Sequence, residues 1–202
     1  AVYVGGPDAD FVALRTDLDT RGGFRVNRYQ TAFEGYADNR IVRHFGGQVP
    51  LWFRRGLGEV FGNTLIREKD VEIGRVIPWH LDMLAGRATS SERTARGASE
   101  GRGQTAPVTR ALIPLPRLLA VQPGDAEVTG ETSSRYFAAQ AWALVHYLMF
   151  GDGGRHRAQF NRVAALIRAG KVGDEATAAF GDMAALTVGY RDYMIQRTYQ
   201  YQ

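Results

Sequence analysis

The stretch Phe137–Phe150, FAAQAWALVHYLMF, is the longest nearly apolar run in the chain, interrupted by Gln140 and His146. At 14 residues it is too short and too polar to span a bilayer, so it has to be housed in a protein core. Ser133 and Ser134 are N-cap residue types just ahead of it, and Gly151–Gly154 follows it. The pattern predicts a strongly apolar helix over Tyr136–Phe150. Three amphipathic helices are expected after it, at Arg155–Ala169, Asp174–Phe180 and Asp182–Tyr199.

The N-terminal end reads differently. Ala1–Val4 and Phe11–Arg15 are rich in β-branched and aromatic residues, with Gly5-Gly6-Pro7-Asp8 between them as a turn, and they predict a strand pair. Asn27–Phe45 carries apolar residues at Phe33, Tyr36, Ala37, Ile41 and Phe45, a helical stripe closed by Gly46-Gly47. Pro50 opens a second helix, Pro50–Phe61. Val71–Ile77 has strand composition, Pro78–Leu84 reads as a short helix, and another is expected near Leu115–Val121. Between residues 86 and 109 the chain has almost no large apolar side chain. Such a segment cannot offset its ordering entropy by burial and reads as a mobile polar loop. The expected fold class is α+β, a small N-terminal β-sheet packed on a mainly helical body, with residues 1–202 as one domain.

Composition narrows the functional classes. With 202 residues, 45% of them hydrophobic and 23% charged, the chain is large enough for a real core. The absence of cysteine excludes disulfides, thiol nucleophiles, zinc fingers and Fe–S clusters. It suits an exported protein but also many cytosolic ones. The chain begins at Ala1 without a basic-then-apolar leader, so any signal peptide is expected to have been removed or to lie outside this sequence. The formal charge is 25 − 21 = +4, but the arginines are scattered among acids and form no basic stripe, which argues against nucleic acid as a partner.

The segment VPLWFRRGLGEVFG, Val49–Gly62, resembles the lPlWlnEGlAeyf segment of the gluzincin, or peptidase MA-like, zinc metallopeptidases. Four further segments follow in the family's order: VEIGRVIPWHLDML, IPLPRLLAV, FAAQAWALVHYLMFG and ATAAFGDMAAL. The resemblance is to a bacterial branch of that clan and covers nearly all of the chain except the polar loop. It implies a gluzincin-like body, a peptide-binding cleft between the sheet edge and the Ala32–Phe45 helix, and an extracytoplasmic location.

In that family two histidines of H-E-x-x-H on one helix and a glutamate of the next bind Zn²⁺, and the glutamate inside the motif is the general base. The helix that should carry the motif reads AFEGYADNRIVRHF. Aligned on Tyr36, it places Glu34 and Asp38 where the histidines belong and Gly35 where the base belongs. Slipped by one residue, it offers Gly35, Tyr36 and Asn39. On the next helix Arg55 falls at the third ligand and Glu59 matches a later acid, while Ala138 falls where the family carries a tyrosine suited to oxyanion stabilisation. A guanidinium suits paired carboxylates, so the resemblance implies that Arg55 fills the metal's place and joins the two helices by an ion pair to Glu34 and Asp38. Tyr36, Arg55 and Glu59 are the candidate cleft residues. Read without the resemblance, Glu34 and Asp38 are a solvated helical face and Arg54-Arg55 a surface pair.

A relocated metal site would draw on His44, His80, His146 and His156, but no two share H-x-x-x-H spacing, and each reads as a hydrogen-bonded or exposed imidazole. No G-x-S-x-G, P-loop or dinucleotide fingerprint is present. Trp52, Tyr147, Tyr190, Tyr193 and Tyr199 are helically spaced and read as core. The expectation is a non-catalytic pseudo-enzyme domain without zinc, acting by binding a peptide or protein partner. An active zinc metallopeptidase with moved ligands and a structural unit of a longer chain are the alternatives.

Overall fold

The computed structural model describes residues 2–6, 10–13, 20–21, 24–25, 29–85 and 111–195. The elements follow the chain as β1 (Val2–Gly5), β2 (Asp10–Ala13), β3 (Thr20–Arg21), β4 (Phe24–Arg25), α1 (Gln30–Phe45) and α2 (Leu51–Gly62). Next come β5 (Leu65–Ile66), β6 (Val71–Glu72), α3 (Pro78–Leu84), α4 (Leu115–Ala120) and α5 (Glu131–Phe150). A 3₁₀ turn at Gly151–Gly154 leads into α6 (Arg157–Arg168), α7 (Asp174–Ala178) and α8 (Met183–Ile195). The fold is α+β and mainly helical. The strands form three separate antiparallel pairs, β1–β2, β3–β4 and β5–β6. In the first, Val4 faces Phe11 and Val2 faces Ala13.

The apolar run forms the middle of the body. From Tyr136 to Leu148 every residue of α5 is buried, as a helix apolar on all sides requires. α2, α3, α4, α6 and α8 all pack against it, and α1 lies on α2. Trp142, Phe53, Phe137, Leu144 and Leu148 are among the largest fully buried side chains. Each is worth roughly 1.5–3 kcal/mol or more relative to exposure. Residue 56 is where α2 approaches α5 most tightly: a Cβ on Gly56 would lie 2.5 Å from both the Ala141 carbonyl oxygen and Val145 Cγ2. Among the described residues no helix is long and apolar enough to cross a membrane.

Both polar interruptions of the run serve the backbone of neighbouring segments. Gln140 accepts the Ile113 N–H at 2.9 Å and donates its amide to the Ile113 carbonyl at 3.3 Å, much as a strand partner would. Tyr190 of α8 donates its hydroxyl to the Gln140 carbonyl at 2.9 Å, and burial raises that phenol's pKa. His146 donates through Nε2 to the Gly74 carbonyl at 2.5 Å and accepts the Tyr193 hydroxyl at Nδ1 at 2.6 Å. Burial pushes the His146 pKa down to about 4, against the opposing pull of the Gly74 carbonyl.

That clasp explains one departure from the sequence pattern. Val71–Ile77 does not continue as a strand beyond Glu72. Gly74 adopts φ +76°, a left-handed conformation that favours glycine, and offers its carbonyl to His146. Asn63 then donates to the carbonyls of Arg75 and Val76 at 3.1 and 3.3 Å. Side chains, rather than a strand partner, satisfy this backbone.

Other boundaries also move. α5 begins at Glu131 after Gly130, so Ser133 and Ser134 lie inside its first turn and do not cap it. Asp182 caps α8, accepting the N–H groups of Ala184 and Ala185 at 2.9 and 3.0 Å. The β3–β4 pair had no strong sequence signal. The polar stretch at residues 86–109, Pro7 and Asp8 of the first turn, and Tyr199 lie outside the described residues.

Candidate functional site

α1 and α2 enclose a cleft of about 380 Å³ whose walls include Glu34, Gly35, Asp38, Arg54, Arg55 and Glu59. Four positions expected from the degenerate motif therefore come together, with Glu59 beside them. They do so because helical periodicity puts residues 34, 35 and 38 on one side of α1. In the same way, residues 54, 55, 58 and 59 fall on the side of α2 turned toward it. Among the described residues this cleft is lined by the two helices α1 and α2.

The ion pairs are not those expected. Asp38 is held by Arg54: its Oδ2 accepts from Arg54 Nη2 at 2.6 Å and its Oδ1 accepts from Arg54 Nε. This is the two-pronged geometry that guanidinium and carboxylate favour. Hydrogen bonding to Asp38 raises the Arg54 pKa above its ordinary value. Arg55 pairs instead along its own helix, its Nε 3.4 Å from Glu59 Oε1. A guanidinium does join the two helices, but through residue 54 rather than 55. The reason is geometric: Arg55 and Glu59 are spaced i, i+4 and face each other without any help from α1. Glu34 accepts the Gln30 amide at 2.6 Å on its own helix.

Glu59 is the most enclosed of the cleft carboxylates at 6% exposure. Besides Arg55 it accepts a hydrogen bond from His80 Nε2 of α3 at 3.2 Å. His80 is itself buried, and its Nδ1 has no hydrogen-bond partner among the described residues. The sequence marked His80 only as a hydrogen-bonded or exposed imidazole. Three residues of chain separate it from Val76, whose carbonyl, with that of Arg75, Asn63 of the α2 C-terminus holds, and that tether brings His80 within reach of Glu59. No spacing motif encodes this pairing.

Two expected positions fall elsewhere. Tyr36 is 54% exposed and is not among the residues that line the cleft. Ala138 is buried within α5 and lines no part of the cleft either. Trp52, Tyr147, Tyr190 and Tyr193 are core residues, as their spacing implied. His44 lies in the last turn of α1 with its ring edge-on to Phe45. His156 sits 3.4 Å from Asp152.

The carboxylates Asp38 and Glu59 are engaged by Arg54, Arg55 and His80, and two guanidiniums share the cleft with them. A divalent cation placed here would meet two fixed positive charges. The cleft walls offer such an ion carboxylate oxygens, and the nearby imidazole of His80 is held on Glu59. Comparison with protein-family profiles, curated proteins and solved structures gives no match for this chain.

Proposed function

We propose that this chain is a gluzincin-like peptidase domain that has lost its metal chemistry and acts by binding a peptide or protein partner in the α1–α2 cleft. The observation that carries the reading is the Arg54–Asp38 pair, a side-chain cation across the helices whose counterparts hold zinc in the family the sequence resembles. Arg55 and Gly35 on the cleft walls support it further, since neither an arginine nor a glycine supplies a metal ligand or a general base. The resemblance also makes an extracytoplasmic location part of the proposal.

What remains for the cleft is recognition. A cavity of this size suits a few residues of a peptide, and polar groups on both walls can fix its orientation. The test is incubation with a broad set of quenched fluorescent peptides in the presence of zinc, with and without a chelator. The proposal expects no cleavage that the chelator abolishes. Chelator-sensitive turnover would establish instead a peptidase whose ligands have moved.

A further inference from the structure

We infer that the α1–α2 cleft binds a ligand bearing a carboxylate, with Arg55 as its anchor. The inference rests on the binding reading above and names the chemistry that the cleft selects. The two arginines differ in how fully they are committed. Arg54 already spends two donors on Asp38. Arg55 is 3.4 Å from Glu59 Oε1 at its Nε, and its side chain is 51% exposed on the cleft wall. Among the described residues no hydrogen bond occupies the end of its fork, and a second carboxylate can approach it there side-on.

The surroundings set the rest of the ligand. His80 remains on Glu59 Oε2, so Glu59 keeps a donor if Arg55 turns toward a newcomer. The walls carry the three carboxylates of Glu34, Asp38 and Glu59 against the guanidiniums of Arg54 and Arg55. That balance disfavours a bare anion and favours a carboxylate accompanied by N–H donors, as on a peptide. Gly58 leaves the room: a Cβ built on it meets nothing within 4 Å, so the helix backbone there borders empty cleft. A peptide carboxylate has two sources, the chain terminus and an Asp or Glu side chain.

Calorimetric titration with three probes separates them: N-acetyl-tetra-alanine as the free acid, the same peptide as its amide, and an amidated version with one internal Glu. Acetate serves as the bare-anion control. The inference expects the free acid or the Glu peptide to bind at least about tenfold more tightly than the plain amide, and acetate more weakly than either. Whichever of the two binds better identifies the source. Arg55→Gln should abolish the preference, and Gly58→Phe, which fills the cleft without a backbone clash, should abolish binding. Equal binding of acid, Glu peptide and amide, blocked by Gly58→Phe, would overturn the anchor and leave the binding reading standing. A preference that survives Arg55→Gln, or no binding of any probe, would also overturn it. Chelator-sensitive cleavage of a probe would defeat the underlying reading instead.

Discussion

Arg54 reaches across from α2 to grip both carboxylate oxygens of Asp38 on α1, while its neighbour Arg55 turns along α2 to Glu59. Successive residues on a helix differ in direction by about 100°. That rotation lets one arginine fasten the two helices and leaves the other facing the cleft.

A double-mutant cycle separates the two roles. Arg54→Gln and Asp38→Asn should couple by roughly 0.3–1 kcal/mol in urea unfolding, a modest figure because both side chains are about 40% exposed. Arg55→Gln with Asp38→Asn should show no coupling beyond error. A larger coupling for Arg55 than for Arg54 would restore the pairing that the sequence alone suggested.

The helix interior of α2 offers a second contrast. Gly56→Ala places a methyl 2.5 Å from the Ala141 carbonyl oxygen, on a backbone that cannot yield without moving α5. It should destabilise the protein by about 1–3 kcal/mol. Gly58→Ala, two residues on, points into open space and should stabilise it by up to about 1 kcal/mol through helix propensity. Thermal unfolding of the two variants reads the difference, and equal effects would contradict the packing described.

The buried imidazole of α5 predicts a pH dependence. The His146 pKa falls from the ordinary 6.5 to about 4 on folding, so between those values the unfolded chain binds the extra proton. The associated stability is complete above about pH 6.5 and is lost as the pH falls toward 4. The loss is on the order of 3 kcal/mol. His146→Gln removes this titration, though it also disturbs the contacts to Gly74 and Tyr193. Its unfolding free energy should therefore start lower at pH 7 and decline less than the parent's by pH 4.5. Parallel declines would show that His146 does not carry the dependence.

Much of this architecture is legible in the sequence because it rests on local signals. The apolar run dictates α5, and glycine pairs and prolines mark the ends of α1 and the start of α2. What is not legible rests on contacts distant in sequence. The extended composition of Val71–Ile77 is overridden by Asn63 and His146, which take the backbone groups a strand partner would have used. Glu59 meets His80 through the tertiary packing that seats α3 on α5, a relation between residues 21 positions apart. The choice between Arg54 and Arg55 depends on helix rotation, which the sequence pattern does not fix. The members of the cleft followed from helical spacing, whereas their partners required the packed structure.

Restoring the family's groups tests the alignment itself. Combining Glu34→His, Gly35→Glu, Asp38→His and Arg55→Glu should create a site that takes up one zinc ion per chain, read by calorimetry with a chelator back-titration. Failure of the folded quadruple variant to bind zinc would mean that these positions do not correspond to the family's metal site.

The most direct measurement is the zinc content of the unaltered chain, by plasma emission after incubation with zinc and dialysis. If arginine has taken over the cation's role between α1 and α2, the protein retains no stoichiometric zinc. One tightly held zinc ion per chain, lost with chelator, would contradict that account.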